Sequence, residues 1–256
     1  MKIIDLSVAI EDHGPSDPPP LQPVIEYVHH AAGAELMKPF FPGITPADLP
    51  KGLGWAVEEI KLNSHCGTHL DAPWHYHPTM NQGEPSRTID QMPLEWCFSD
   101  GVVVDFSHIP ATAKVQIPDF EQAFLAMGYQ LKPLDIVLVR SGAAPFYGTT
   151  RYLGEGCGIS REATLWLLEK GVKVVGTDAW SWDRPLPVMA REFADTKDAS
   201  VIWEGHFAGI EREYYHMEKM TNLDLLPPFG FKVCCFPVKI KAASAGWTRA
   251  VAILQG

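Results

Sequence analysis

The sequence predicts an α/β domain in which helices pack on a central sheet, and three observations carry that prediction. Short β-branched runs alternate with segments of helical periodicity between residues 101 and 178. Serine and glycine stand where such elements start and stop. No linker, internal repeat or low-complexity tract divides the chain, so residues 1–256 read as one domain with a sizeable core.

The elements follow in order. "MKIIDLSVAIEDHG" reads as a short strand and a turn. "HGPSDPPPLQPVIEY" and "KPFFPGITPADLPKGLGW" hold many of the 22 prolines. Each proline fixes φ and removes a donor, so these stretches read as ordered loops wrapping a core. Phe40, Phe41, Leu49 and Trp55 are expected to pack beneath them. "GVVVDFS" (101–107) is a buried strand. "IPDFEQAFLAMGYQL" follows as a helix with Phe120, Phe124 and Leu125 at helical spacing and Gly128 as its stop. "DIVLVRSG" is a second buried strand. "SREATLWLLEKG" is a helix capped by Ser160 and stopped at Gly171, and "VKVVGTD" is a third strand. The closing "FKVCCFPVKIKAASAGWTRAVAIL" reads as two strands and a connection.

Composition narrows the function. Hydrophobic residues at 46% and charged residues at 20% are ordinary for a globular protein. A formal net charge of −10 argues against a nucleic-acid backbone or an anionic membrane surface as partner. No apolar stretch approaches eighteen residues, and the start lacks the pattern of a signal peptide. Five cysteines at irregular spacing form no disulfide framework and no C-x-x-C, which points to a reducing cytoplasm.

The chemistry concentrates in "HCGTHLDAPWH", residues 65–75, which holds three of the ten histidines, with His77 just beyond. Imidazole nitrogen and carboxylate oxygen together suit zinc, manganese or iron, and the single carboxylate of Asp71 can bridge two ions. His65 and His69 would share a helical face at i, i+4, yet Gly67 and Pro73 favour a turn or a strand-to-helix loop. In an extended segment His69 and Asp71 point to one side. Thr68 is placed to support a ligand by hydrogen bonding. The competing reading is a polar loop of solvated histidines, which this density disfavours. A serine triad is weaker still, since no G-x-S-x-G occurs, and Cys66 reads as packing.

The string H-x-G-T-H-x-D-x-P-x-H resembles the signature of the cyclase family of metal-dependent hydrolases, which includes bacterial kynurenine formamidase, isatin hydrolase and a type of dienelactone hydrolase. "IIDLS", "DIVLVRSG", "VVGTDAWSWD" and "KIKAASAGWTRAVAI" extend the resemblance over most of the chain. It implies a single α/β domain with a mixed sheet or barrel-like core surrounded by helices, similar to a swivelling β/β/α fold. It also implies a distant histidine with a glutamate twelve residues later, which His206 and Glu218 satisfy. In one helix that spacing leaves the pair about 120° apart, so a turn is expected near Tyr214 or Tyr215. His216 competes with His206, because His216 and Glu218 share one face of a strand.

By this resemblance His65, His69, Asp71, His206 and Glu218 hold one or two divalent ions, zinc or manganese, and His75 is the acid/base residue. The implied activity is hydrolysis of a small amide or formamide, as of N-formylkynurenine to kynurenine and formate. A cyclic amide or lactone is the alternative substrate, and a non-catalytic metal- or small-molecule-binding protein the remaining one. The family also implies a homo-oligomer, a dimer or tetramer. Trp55, Trp74, Trp180, Trp182, Phe40 and Phe41 are candidates for an aromatic pocket around a ring-bearing substrate, against the competing reading that they fill core and interface. Asp178 and Asp183 read as groups that orient ligands or cap turns.

Overall fold

The computed structural model describes residues 1–254. In chain order the strands begin with β1 (Lys2–Asp5), β2 (Val24–Val28), β3 (Val57–Lys61), β4 (His69–Asp71) and the pair β5 (Thr79–Met80) and β6 (Glu84–Pro85). They continue as β7 (Phe98–Asp105), β8 (Lys114–Val115), β9 (Ile136–Arg140), β10 (Gly158–Ile159) and β11 (Val174–Thr177). The last are β12 (Tyr215–Glu218), β13 (Phe229–Cys234), β14 (Ala245–Trp247) and β15 (Val251–Leu254). The helices are α1 (His30–Met37), α2 (Pro73–Tyr76), α3 (Ile117–Met127), α4 (Arg161–Glu169), α5 (Leu186–Thr196) and α6 (Glu204–Phe207). Among the described residues no helix is long and apolar enough to cross a membrane.

Nine strands form one mixed sheet, in the order β1-β15-β13-β7-β9-β11-β12-β4-β14, curled into a half-barrel. Its centre is β7-α3-β9-α4-β11, three parallel neighbours joined by helical crossovers. These strands are continuous apolar runs because both faces are covered. Ile136 and Leu138 of β9 join the core inside the curl with Leu70, Val174 and Met217. Val137 and Val139 face the helices and pack with Phe120, Phe124 and Leu167. Each such fully buried side chain contributes on the order of 1.5–3 kcal/mol.

Local signals act as their chemistry requires. Ser160 Oγ accepts a hydrogen bond from Ala163 N at 3.1 Å and caps α4. Gly128, at φ 63°, ends α3 in the left-handed conformation.

Three expectations change. Leu125 lies on the outer face of α3 and is 83% exposed, because the helix buries only a narrow stripe through Phe120 and Phe124. The closing segment holds three strands, since Ala245–Trp247 gains a partner in β4 from far upstream. The first proline-rich stretch, read as a loop, ends in a strand, β2, which pairs with β3, and α1 lies between the two proline-rich stretches. That arm stands away from the core: Phe40 meets Trp55 edge-on at 5.5 Å, yet Phe40 and Phe41 stay 69% and 50% exposed.

Candidate metal centre

The centre forms where β4 and β12 pair antiparallel at one end of the sheet. Their register sets Glu218 opposite His69 and His216 opposite Asp71. Side chains alternate along a strand, so these four share one face while Leu70 and Met217 enter the core behind. Three further histidines come from flanking segments. Gly67, at φ 63°, turns the chain between His65 and β4. Pro73 opens the single turn of α2, which carries His75. His206 arrives on α6, before the chain turns into β12 at Tyr215.

The side chains converge on Asp71, which is fully buried. His65 Nδ1 lies 2.7 Å and His69 Nε2 3.1 Å from Asp71 Oδ1. His216 Nε2 lies 3.0 Å, His75 Nε2 3.6 Å and His206 Nε2 3.8 Å from Asp71 Oδ2. Glu218 Oε1 lies 3.1 Å from His216 Nε2 and 3.7 Å from His206 Nε2, and its Oε2 lies 3.6 Å from His69 Nε2. Thus the six residues predicted around a metal and its proton carrier stand together, and His216 joins them on the strand face it shares with Glu218.

Outer groups fix the rings. His206 Nδ1 donates to Asp183 Oδ2 at 2.5 Å, and Asp183 also accepts from the backbone N–H groups of Gly205 and His206. Asp183 therefore orients His206, the role the sequence suggested. Gly205 is needed for this approach, since a Cβ there would stand 2.8 Å from the Trp182 ring. His65 Nε2 meets Ser244 Oγ at 3.0 Å. His216 Nδ1 faces the Tyr76 and Tyr214 hydroxyls at 3.3 Å each. Asp178 caps a turn instead, accepting from Ser141 N and Oγ at 2.6 Å. Thr68 Oγ1 donates to the Lys219 carbonyl and accepts from Val8 N, so it ties segments together and supports no histidine side chain.

A cation fits this donor set. His69 Nδ1 lies 2.8 Å from the Gly67 carbonyl, which can only accept, so the ring proton sits on Nδ1. Nε2 then presents a lone pair, and its neighbours are carboxylate oxygens with lone pairs of their own. Both His69 Nε2 and Asp71 Oδ1 are buried without a hydrogen-bond partner. Acceptors facing acceptors in a dry site require a positive centre between them. Among the described residues two groupings have ligand atoms close enough for one ion: Asp71, His206, His216 and Glu218, and His65, Asp71 and His75.

The crowded groups also shift one another's protonation. Burial raises the Asp71 carboxyl, but His65, His75 and His69 outweigh it and hold the group well below the carboxylate range. Burial lowers His206, yet its hydrogen bonds to Asp183 and Asp71 carry it up to about 10. Burial likewise pulls His75 down, to about 3, and Asp71 only partly opposes it. His75 is therefore neutral at pH 7.

A cavity of about 210 Å³ opens on His65, His75, His206 and Glu218. Trp180 lines it, whereas Trp74 and Phe40 do not. Trp74 projects outward from α2 at 47% exposure, and Phe40 belongs to the arm. Trp182 is core: it is fully buried, and its backbone N–H donates to Glu218 Oε1 at 3.0 Å. The second wall is Trp203, not expected from the sequence. Its ring stacks on His206 at 4.3 Å and meets His75 edge-on at 5.0 Å. Its only sequence signal is a position three residues before His206. Cys66 is 3% exposed and burial pushes its thiol up to about 12, so it is an inert wall residue.

Comparison with known proteins places the chain among relatives of known name. The kynurenine formamidase of Erythrobacter litoralis (strain HTCC2594) is 25% identical over 229 residues, covering 85% of this chain and 90% of that one. That of Paracidovorax citrulli (strain AAC00-1) is 26% identical over 228 residues, covering 83% and 89%. An isatin hydrolase bound to the product analogue thioisatinate superposes with a TM-score of 0.76 at 17% identity, over 100% of this chain and 93% of that one, and shares the fold. A family model described as "Putative cyclase" matches residues 4–184, which include the His65–His75 string and Asp183. That match spans well over half of the chain, and the protein belongs to the cyclase family.

Proposed function

We propose that the protein is a metal-dependent hydrolase that cleaves the C–N bond of a small aryl formamide, as in the conversion of N-formylkynurenine to kynurenine and formate. The observation that carries this reading is the buried meeting of unpaired acceptors, His69 Nε2 and Asp71 Oδ1, beside a cavity that contains a neutral histidine. The kynurenine formamidase relatives support the choice of bond. Opening of a cyclic amide is the second reading, favoured by the fold shared with isatin hydrolase.

His65, His69, Asp71, His206 and Glu218 would hold one or two ions, zinc or manganese, with His216 as an added ligand or a brace for Asp71 and Glu218. A divalent ion bound there supplies Lewis acidity, lowering the pKa of water and polarising a carbonyl. His75, about a fifth exposed to the cavity and beside Asp71, would take up the proton of the attacking water and return it to the departing nitrogen. Trp180 and Trp203 bind and orient a ring, and their bulk excludes bulk water. Asp183 holds the ligating nitrogen of His206 in place.

Elemental analysis of the purified protein followed by assays on N-formylkynurenine, isatin and a dienelactone tests the proposal. Bound divalent metal and formamide turnover are expected. Turnover of isatin alone would select the second reading, and turnover of none would reject all three substrates. We further infer self-association through the arm, where Tyr27, Phe40, Phe41 and Ile60 are at least half exposed, and sedimentation tests it. Five unpaired cysteines favour the cytoplasm as its compartment.

A further inference from the structure

Besides the histidine–carboxylate cluster, the cavity wall contains one ion pair, Asp17 and Lys219. The two residues are only 4% and 2% exposed. The Lys219 ammonium donates to Asp17 Oδ1 and, at 2.8 Å, to the backbone carbonyl of His65. Trp180 Nε1 donates to the same Asp17 oxygen at 2.9 Å. The Trp180 ring lies 5.2 Å from the ammonium and the Cys66 thiol is the other neighbour of Asp17, so among the described residues neither the third ammonium proton nor Asp17 Oδ2 meets a second charged group of the protein.

Two features set the pair apart from packing. Burying opposite charges costs more desolvation than an apolar substitute of similar volume, so the pair is a poor device for stability alone. Its placement also requires an unusual backbone: Lys219, directly after Glu218, adopts φ 56°, a conformation L-residues rarely use. The chain thus turns sharply at the end of β12 and places an ammonium beside the His65 backbone. Asp17 reaches it from the proline-rich segment, more than two hundred residues away in sequence.

An ammonium and a carboxylate side by side on a cavity wall, each able to take a further charge-assisted hydrogen bond, complement a zwitterion. The ligand's carboxylate takes the third ammonium proton, and its ammonium faces Asp17 Oδ2. Trp180 and Trp203 flank the same space and suit a ring. At about 210 Å³ the cavity admits one ring and a short tail. We propose that Asp17 and Lys219 form a subsite for the zwitterionic α-amino-acid end of an aryl amide substrate. This rests on the hydrolase reading above, and it separates such substrates from uncharged cyclic amides, which offer the pair nothing.

The test compares two ligands on the metal-loaded protein by tryptophan fluorescence or calorimetry. L-kynurenine carries the amino-acid end, and ortho-aminoacetophenone has the same ring and ketone without it. Wild type is expected to prefer kynurenine by about 10- to 100-fold, the worth of one or two charge-assisted hydrogen bonds. Asp17→Asn and Lys219→Met should each narrow that ratio, and Lys219→Arg should retain part of it. Equal affinities in the wild type would overturn the subsite, as would an undiminished ratio in both variants. The wild-type ratio needs neither turnover nor a folded variant. Discrimination without formamide hydrolysis would keep the subsite and remove the hydrolase reading, and hydrolysis without discrimination would do the reverse.

Discussion

Replacing Asp183 by asparagine probes how the centre is held from behind. The carboxylate is 2% exposed and accepts three hydrogen bonds: from His206 Nδ1 at 2.5 Å, Gly205 N at 2.7 Å and His206 N at 3.1 Å. The first fixes the His206 tautomer, with the proton on Nδ1 and the Nε2 lone pair turned toward Asp71 and Glu218. Asparagine keeps its shape and can still accept once or twice through its oxygen. It loses the charge, and its amide nitrogen offers a donor where the site needs an acceptor. Loss of such an outer carboxylate typically costs 10- to 100-fold in metal affinity, about 1.4–2.7 kcal/mol. The assay is cobalt(II) titration followed by visible absorbance in competition with a chelator, with circular dichroism to confirm the fold. Affinity within twofold of wild type would refute the claim that His206 ligates with Asp183 as its brace.

Three further outcomes are expected. His75→Ala should lower turnover by about 10²- to 10⁴-fold while metal content, read by elemental analysis, stays intact; unchanged turnover would remove its proton-carrying role. Chelation should lower Tm, because an ion at a thousand times its Kd adds about 4 kcal/mol, roughly 8–16 °C for a chain of this size; a Tm indifferent to chelator would deny a folded-state metal site. Asp100 is held below its usual pKa by Lys132 at 2.7 Å and Lys232 at 2.6 Å. A depressed carboxyl stabilises above its unfolded pKa, and that contribution disappears as pH falls through the folded value. The Tm deficit of Asp100→Asn should therefore reflect less than about 1 kcal/mol at pH 7 and shrink as pH falls below the carboxylate range, and a deficit independent of pH would contradict the pairing.

Much of the centre was legible because its residues are crowded in sequence. Three histidines and an aspartate within eleven residues form a signal that a local pattern can hold, and a period of two placed His69 with Asp71 and His216 with Glu218. The pocket was less legible. Trp74, inside the string, faces outward, while Trp203 and Lys219, three residues before His206 and one after Glu218, line the cavity. Aromatic residues announce burial, and nothing in their spacing says which cavity they face. The arm misled for the same reason: Phe40 and Phe41 were expected beneath loops, and they project from the arm instead.

By itself the sequence determined the α/β core, because strand and helix periods, the Ser160 cap and the Gly128 stop are local properties of the chain. It also determined the donor types at the centre, and with them the class of ion they accept. Tertiary structure alone decided the register of β4 on β12, which sets Asp71 opposite His216, and the arrival of Asp17 beside Lys219. Both depend on pairings between segments about 145 and 202 residues apart, as the contacts His216–Asp71 and Lys219–Asp17 record. Such contacts form only when the sheet closes, since a one-residue slip of β4 would turn His69 and Asp71 into the core and leave the acceptors with nothing to face.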